Sequence, residues 1–296
     1  MINKEKKYYL SKILLFGEYT IIDGSGALAV PFDKFKSNWD FDIQKDKSEF
    51  EPFIKYLMNI DWKKDNTYFY IDKLKQDLKK GLFFSSNIPV GYGAGSSGSI
   101  TAAIFDRYFD KENLNIYQIK NILSLIEGFF HGVSSGIDPV VSYFNKGIKL
   151  IDKNNFELID SPIIEFEDYG WYLLDTKIKR ITKKYVDCYN YEIKTKSFVD
   201  KILPEMIFLN NEVITSFLTK DEKTTFSILK EISFLQHKYF KKMIIKPVEK
   251  LWERSLKAKD FSIKLCGAGG GGFYLLMIKK GSETNDIFKK FDLIKI

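Results

Sequence analysis

The 296-residue sequence has only two cysteines, no long apolar run and no low-complexity segment. Cys188 and Cys266 are too few for a disulfide framework, and they do not form the CxxC pair typical of zinc sites. The longest apolar stretches are too short to cross a bilayer. The first nine residues are polar and lysine-rich, unlike a secretory signal peptide. These absences argue against a secreted, zinc-dependent or membrane protein, and they predict a soluble, cytoplasmic one.

Positive charge is in excess but is not concentrated. The formal net charge is +7, and the lysines are scattered along the chain, often beside aspartate and asparagine. A nucleic-acid-binding protein would need clustered Lys and Arg with interleaved aromatic residues, so no nucleic-acid partner is predicted. A lysine-rich surface and a polyanionic substrate both fit this charge. Hydrophobic residues make up 45% of the chain, which is enough for a sizeable core in one or two domains.

The hydrophobic pattern predicts a mixture of strands and helices. Two apolar runs, at residues 13–16 and 27–30, predict strands, the second ending at Pro31. A further strand is expected at residues 82–85. Strand, glycine loop and strand are predicted at residues 263–278. Helices are predicted at residues 72–80, 100–109 and 116–128, and helical patterning fills 191–258 with breaks at Pro204 and Pro247.

A glycine- and serine-rich segment at residues 89–99 leads directly into a predicted helix. Glycine lets the backbone N–H groups approach a ligand, and a helix N-terminus adds free donors and partial positive charge. Together these features favour a phosphate-binding loop. The segment is not a Walker A loop, because no Gly-Lys-Ser or Gly-Lys-Thr follows. A flexible loop with an ordinary serine N-cap is the structural alternative.

A second glycine cluster, at residues 267–272, matches the pattern GxGxxG. A dinucleotide-binding fold would require a helix directly after it. Here an apolar strand follows and the sequence ends soon afterwards, so we reject the dinucleotide interpretation. A tight turn between strands and a loop that contacts phosphate or substrate both remain open.

A third segment, residues 127–138, contains Glu127, His131 and Asp138 around several glycines and serines. An aspartate here could accept a proton from a hydroxyl group, and a glutamate could hold Mg²⁺. Asp138 could instead cap a helix that begins at Pro139, and His131 could be a packing residue. Lys12 opens the first strand, and without its context it would be a surface lysine.

In combination, these segments resemble the GHMP kinase superfamily, and most of all the mevalonate kinase family. Residues 89–99 resemble that superfamily's phosphate loop, and residues 12–24 and 264–272 resemble its first and third motifs. The mevalonate kinase pattern E-x-x-x-H-G-x-P-S-G-x-D matches from Glu127 to Asp138, eleven positions later.

The chain departs from the family patterns at several positions. Ala94 and Gly98 stand where leucine and alanine are usual in the phosphate loop. Ser134 replaces the proline of the mevalonate kinase pattern, and Pro139 replaces an asparagine. Tyr19 replaces histidine, and the resulting Gly-Glu-Tyr is more typical of phosphomevalonate kinases. The departures affect the choice of substrate more than the class of enzyme.

The resemblance implies an α+β protein with a two-domain GHMP kinase-like fold and its active site in the interdomain cleft. An N-terminal ATP-binding domain would span residues 1–155. A C-terminal domain at residues 156–296 would carry the third motif. Turn-prone polar residues around 150–165 also suggest a boundary there.

The resemblance also implies roles for individual residues. Asp138 would be the general base, and Lys12 would stabilise the charge that develops on the hydroxyl oxygen. Mg²⁺ would be held by Ser97 and Glu127. The ATP phosphates would be bound by Pro89, Gly91, Gly93, Gly95, Ser96, Ser97, Gly98 and Ser99. The substrate would be contacted by Glu18, Tyr19, His131, Ser135, Arg180, Thr182, Gly267, Ala268 and Gly269.

The implied activity is phosphorylation of a small-molecule hydroxyl by ATP and Mg²⁺, converting mevalonate to 5-phosphomevalonate in isoprenoid biosynthesis. Alternatives are phosphomevalonate kinase, or another GHMP kinase that acts on a sugar or a hydroxy acid. A non-catalytic regulatory protein on this fold is a further alternative, but it would be expected to have lost Lys12, Glu127 and Asp138. The expected state is a monomer or homodimer with no nucleic-acid or membrane partner.

Overall fold

The computed structural model describes residues 6–48, 50–152, 155–160, 165–180 and 182–296, with residues 182 and 183 described through their backbone only. Helices and strands occur in both halves of the chain, which confirms the predicted α+β class. The chain divides into two compact units, and each of them is discontinuous in sequence. The first unit contains the residues up to Lys12, Pro31–Pro89 and Ala94–Asn145. The second contains Ile13–Val30, Val90–Gly93 and Lys146–Ile296. The boundary near residue 155 and the cleft stay predictions.

Strands form two sheets within the described part of the chain. In chain order the strands are β1 Tyr9–Phe16, β2 Ala27–Phe41, β3 Leu82–Ser86, β4 Gly147–Leu150, β5 Phe156–Ile159, β6 Tyr169–Asp175, β7 Phe261–Leu265, β8 Phe273–Lys279 and β9 Asp292–Lys295. One sheet has the order β1-β2-β4-β5, with β3 also paired to β2, and the other has the order β7-β8-β6-β9. The pairing of β7 with β8 is antiparallel and confirms the predicted strand, loop and strand.

The expectation that the second strand ends at Pro31 is wrong, because β2 continues to Phe41. Its first residues, from Ala27 to Ala29, pair with β4, and its last, from Ser37 to Phe41, pair with β3. Pro31 lies between these two paired stretches, where its missing N–H group removes no hydrogen bond to β3 or β4. Proline is tolerated in a strand under that condition.

The helices predicted at residues 72–80 and 116–128 begin within one residue of the observed starts. Helices occur along the whole of the described sequence. They are α1 Phe50–Met58, α2 Ile71–Lys79, α3 Ser96–Tyr108, α4 Ile116–His131, α5 Ile137–Phe144, α6 Thr182–Glu192, α7 Leu203–Leu218, α8 Glu222–Tyr239 and α9 Lys246–Lys257. Pro204 and Pro247 lie in the first turns of α7 and α9, where proline starts a helix without losing a hydrogen bond. Within the described residues, no helix has the length and apolar character required to span a lipid bilayer.

Helix α3 is largely buried in the first unit. Ala102, Ala103, Ile104 and Phe105 are all fully buried, and Ala102 and Ala103 cluster with Tyr9 of β1. Helix α4 begins with a capping box, in which the Asn115 side chain accepts from the Gln118 N–H and the Gln118 side chain accepts from the Asn115 N–H. These contacts hold α3 and α4 in place, and the two helices carry the candidate site residues Ser97 and Glu127.

Candidate active site

Lys12 and Asp138 form an ion pair in the first unit. The Lys12 Nζ lies 2.8 Å from an Asp138 carboxylate oxygen. Lys12 is only 8% exposed, so the interpretation as a surface lysine is wrong. Its backbone N–H also donates to the Ala94 carbonyl at 2.9 Å, which connects β1 to the segment before α3. The pair therefore places a cation and a proton acceptor side by side.

Asp138 is not a helix cap. Gly136 is the N-cap of α5, and Asp138 lies inside the first turn with Pro139 directly after it. A carboxylate in the first turn is stabilised by the helix dipole. The Asp138 side chain is 31% exposed, so it can reach a ligand from solvent.

The phosphate-loop segment ends in a helix N-terminus that has no side-chain cap. Gly95 is the N-cap of α3 and has a φ of +79°, which favours glycine. The Ser99 N–H donates to the Gly95 carbonyl, and the Ser99 hydroxyl donates to the Ser96 carbonyl. The alternative of an ordinary serine N-cap is therefore wrong, and the first N–H groups of α3 are available for an anion.

Gly98 allows α3 to lie against the start of α5. A Cβ atom at this position would be 2.8 Å from the Asp138 carbonyl carbon and 2.9 Å from the Pro139 nitrogen. Neither backbone atom can move without shifting α5. The glycine is thus required by the backbone approach that brings Asp138 to the N-terminal turn of α3.

Glu127 lies in a cluster of hydroxyl groups near the end of α4. The Ser97 hydroxyl donates to one carboxylate oxygen of Glu127 at 3.1 Å, and the Ser134 hydroxyl donates to the other. The Nε2 atom of His131 lies 3.0 Å from the Ser97 hydroxyl oxygen. His131 is exposed, so the packing interpretation of this residue is wrong.

Burial and the nearby negative charge of Asp138 raise the pKa of Glu127 to about 7, although the Ser134 and Ser97 hydroxyls and Lys12 favour its ionised form. Two carboxyl groups in one site commonly have separated pKa values, and such sites are often functional. Glu127 is 4% exposed, which accounts for the size of the effect.

Among the described residues, no group of three or more His, Cys, Asp and Glu side chains is arranged to hold a metal ion. The Glu127 carboxylate and the Ser97 hydroxyl are oxygen donors in contact with each other. This set suits Mg²⁺ better than zinc or calcium, because Mg²⁺ keeps several waters and often shares one carboxylate with phosphate oxygens.

In the second unit, Arg180 lies against two of the predicted glycines. A Cβ atom at Gly93 would be 1.6 Å from the Arg180 guanidinium, and one at Gly267 would be 2.5 Å from it. The guanidinium donates to the Cys266 carbonyl at 3.1 Å, and the Arg180 N–H donates to the Gly91 carbonyl at 3.0 Å. Only glycine fits at positions 93 and 267 while the guanidinium stays there.

Glu18 and Tyr19 are both buried in the second unit. The Glu18 carboxylate forms an ion pair of 2.5 Å with Lys264. The Tyr19 hydroxyl donates to the Ala268 carbonyl at 2.6 Å, and burial raises the pKa of that hydroxyl. Tyr19 also has a φ of +63°, an unusual value for a bulky residue. The turn at Glu18 and Tyr19 is therefore joined to β7 through Lys264 and to the second glycine loop through Ala268.

The glycine loop at residues 266–272 is a tight connection between β7 and β8, as predicted. A Cβ atom at Gly269 would be 2.8 Å from the Met243 carbonyl, and one at Gly272 would be 2.8 Å from the Tyr92 carbonyl. Close backbone packing accounts for these glycines. The substrate role predicted for this loop stays a prediction.

The structure places the predicted residues in two groups, one in each unit. The first group is Lys12, Gly95, Ser96, Ser97, Gly98, Ser99, Glu127, His131, Ser135 and Asp138, together with Pro89 from the same unit. The second is Glu18, Tyr19, Gly91, Gly93, Arg180, Gly267, Ala268 and Gly269. The side chain of Thr182 lies outside the described residues. Ser135 is exposed and accepts a long hydrogen bond from the Ile137 N–H.

Three contacting residues were not predicted from the sequence. Ser134 bonds Glu127, Lys264 pairs with Glu18, and the Tyr189 ring stacks on Tyr19 with 4.8 Å between centroids. The sequence gives one signal for Ser134, a serine in place of the family's proline, but the partner of its hydroxyl group is set by the fold. The separation of 246 positions between Glu18 and Lys264 gives no such signal.

Comparison with known proteins shows what this chain is similar to. Residues 66–146 match the protein-family model for the GHMP kinases N terminal domain. The mevalonate kinase of Thermococcus sibiricus is 28% identical over 94% of this chain and 91% of its own length. That of Methanocaldococcus jannaschii is 25% identical over 92% and 91%, respectively.

Two solved kinase structures share the fold. The L. major mevalonate kinase in complex with R-mevalonate has a TM-score of 0.65 at 18% identity, covering 97% of this chain and 91% of its own. The Streptococcus pneumoniae phosphomevalonate kinase in complex with phosphomevalonate and AMPPNP has a TM-score of 0.68 at 12% identity, covering 98% and 99%. The predicted relation to the GHMP kinase superfamily and to mevalonate kinases, and the predicted fold, are confirmed.

Proposed function

We propose that this GHMP kinase-like chain is a phosphotransferase that uses ATP and Mg²⁺ to convert mevalonate to 5-phosphomevalonate. The observation that carries the proposal is the ion pair between Lys12 and Asp138, positioned at the N-terminal turns of α3 and α5. The named relatives that align along more than nine-tenths of the chain are mevalonate kinases, which supports the choice of acceptor.

Asp138 acts as the general base in this proposal. Its carboxylate accepts the proton of the substrate hydroxyl as the oxygen attacks the terminal phosphorus of ATP, and the bond from that phosphorus to the bridging oxygen breaks to release ADP. Lys12, 2.8 Å from that carboxylate, stabilises the negative charge that develops on the attacking oxygen.

The N-terminus of α3 binds the nucleotide phosphates. Its uncapped N–H groups and the backbone of Gly95 present donors to an anion. Glu127 and Ser97 would hold Mg²⁺, which would neutralise charge on the phosphate oxygens. Ser96 and Ser99 shape this turn, since the Ser99 hydroxyl is bonded to the Ser96 carbonyl.

Substrate recognition is assigned to the remaining predicted residues. Arg180 is suited to the carboxylate of mevalonate, because a planar guanidinium binds carboxylates through paired hydrogen bonds. We retain the other predicted contacts, namely Glu18, Tyr19, His131, Ser135, Thr182, Gly267, Ala268 and Gly269. A cytoplasmic location and a monomeric or homodimeric state also stay predictions.

Phosphomevalonate kinase is the second candidate, and it is favoured by one observation. Tyr19 gives the sequence Gly-Glu-Tyr, and its hydroxyl is already bonded to the Ala268 carbonyl. This residue differs from the histidine usual in mevalonate kinases. An assay with mevalonate and with phosphomevalonate is therefore needed to identify the phosphoryl acceptor.

The decisive assay measures ADP release from MgATP with mevalonate, phosphomevalonate, galactose and homoserine in parallel. We expect turnover with mevalonate and none above background with the other three. Asp138→Asn, prepared identically, controls for a contaminating kinase. Turnover with phosphomevalonate alone would replace the proposed acceptor, and no turnover with any of the four would contradict the proposal.

A further inference from the structure

The Ser134 hydroxyl lies next to the buried carboxylate of Glu127, in the turn between α4 and α5. It donates to one carboxylate oxygen of Glu127. The Gly136 N–H donates to the same hydroxyl oxygen at 3.0 Å. Because the serine oxygen already accepts that bond, its own proton is directed toward Glu127.

The two carboxylate oxygens of Glu127 therefore have different neighbours. One oxygen accepts from Ser134, and the other accepts from Ser97 at 3.1 Å. Glu127 is 4% exposed, so its orientation depends on these protein contacts more than on water. Removing one hydroxyl would leave a buried oxygen without that partner and would allow the carboxylate to rotate.

The turn that carries Ser134 is held by a separate contact. The Ser124 hydroxyl on α4 donates to the Ser134 carbonyl at 2.5 Å. This bond positions the backbone of the turn but does not touch Glu127. The two serines thus allow the effect of the turn to be separated from the effect of the hydroxyl on the carboxylate.

We propose that Ser134 is a positioning residue for the nucleotide-bound Mg²⁺: it fixes Glu127 through one carboxylate oxygen and so keeps the other beside the Ser97 hydroxyl for the cation. The inference rests on the proposed function, since it assumes that Glu127 and Ser97 bind the metal. Residues that hydrogen-bond a metal-binding carboxylate commonly contribute 10- to 100-fold to metal affinity. The proline of the related motif has no hydroxyl and could not act in this way.

The test compares ADP binding with Mg²⁺ and with EDTA, measured by titration calorimetry. The affinity for ADP with Mg²⁺ divided by the affinity in EDTA reports how much the metal contributes to ADP binding. We expect Ser134→Ala to reduce this ratio by about tenfold, while the affinity for ADP in EDTA stays unchanged. Ser134→Thr keeps the hydroxyl group and should restore most of the ratio.

Two further variants complete the design. Ser124→Ala loosens the same turn without touching Glu127, and Val133→Ala changes a side chain that is 91% exposed. Both should keep the wild-type ratio. A wild-type ratio in Ser134→Ala, or an equal loss in Ser124→Ala, would overturn the role of Ser134. If the wild-type protein bound no ADP in either condition, the proposed function would fail, and this inference with it.

Discussion

At the scale of single residues, Asp138 is the group whose chemistry can be tested most directly. Asp138→Asn keeps the size and position of the side chain but cannot accept a proton. We expect kcat with mevalonate to fall by about 10²- to 10⁴-fold, the usual contribution of a general base. The affinity for MgADP should change less than about twofold, because the N-terminus of α3 is left intact. Steady-state kinetics and calorimetry on the same preparation measure both quantities.

Asp77→Asn is the matched control for that experiment. Asp77 is also paired with a cation in the first unit, since it accepts hydrogen bonds from Arg107 and Tyr108. Its removal deletes the same charge without touching Lys12 or the turns of α3 and α5. Turnover should stay near the wild-type level. Wild-type turnover in Asp138→Asn would show that another group takes the proton.

Glu127 makes the stability of the protein depend on pH. Its pKa is raised by burial and by Asp138 from an ordinary value of 4.5 to about 7. Between these pH values the folded state holds a proton that the unfolded state has lost. The free energy of unfolding should therefore fall as pH rises from about 4.5 to about 7 and then level off. The full change is at most about 3 kcal/mol.

Glu127→Gln isolates this contribution, because glutamine does not titrate. Denaturant unfolding in metal-free buffer between pH 5 and pH 8 gives the free energy of unfolding of both proteins. The variant should gain stability relative to wild type as pH rises through this range. A difference that is constant with pH would show that Glu127 titrates at its ordinary value.

At the scale of elements, the sequence predicts best those strands and helices whose ends are set by nearby residues. The strands at Leu82–Ser86 and Phe273–Lys279 and the helix at Ile71–Lys79 were predicted within one residue at each end, because apolar spacing and nearby breakers fix them. The predicted end of β2 at Pro31 is wrong. Whether a strand tolerates proline depends on its pairing partners, and the spacing of apolar residues does not show these. Helix α3 begins four residues before the predicted start, at Ser96.

The candidate site also combines features that the sequence reveals with contacts that it does not reveal. The spacing from Glu127 to Asp138 is visible in the sequence, and the motifs predicted both carboxylates. The hydrogen bond from Ser134 to Glu127 depends on how the turn after α4 folds back, and the approach at Gly98 depends on how α3 packs against α5. Contacts between elements of this kind are not encoded in residue spacing.

Gly98→Ala tests that packing directly. Alanine in a helix interior normally stabilises by about 1 kcal/mol relative to glycine. Here the new Cβ atom would be 2.8 and 2.9 Å from backbone atoms of Asp138 and Pro139, and overpacking of this kind typically costs about 1–3 kcal/mol. We expect net destabilisation and lower kcat, because Asp138 must move. Denaturant unfolding and steady-state assays measure these effects.

Gly128→Ala is the matched control on α4. A Cβ atom there would be 2.6 Å from the Tyr56 hydroxyl, which is the far end of a side chain that can rotate. Stability should stay the same or increase slightly, apart from the loss of the bond from Tyr56 to the Leu125 carbonyl. Equal stability of Gly98→Ala and wild type would mean that α5 can shift away from α3.

At the scale of the whole molecule, neither unit is a continuous segment of chain. The second unit takes Ile13–Val30 from the first tenth of the sequence and most of its mass from residues after Asn145. Lys264 joins these parts, since its ammonium group donates to the Leu15 carbonyl at 2.8 Å and pairs with Glu18. A division of the chain near residue 155 would separate the two charges of this pair.

The ion pair between Lys264 and Glu18 should therefore be costly to break. Both side chains are 2% exposed, and burial raises the pKa of Glu18 even beside the lysine. Lys264→Met leaves a buried carboxylate without its cation and should lower the free energy of unfolding by about 3–5 kcal/mol. Adding Glu18→Gln removes the orphaned charge, so the double variant should be more stable than Lys264→Met alone. Denaturant unfolding of wild type, both single variants and the double variant gives the coupling energy. Additive losses would show that the two side chains are not energetically coupled.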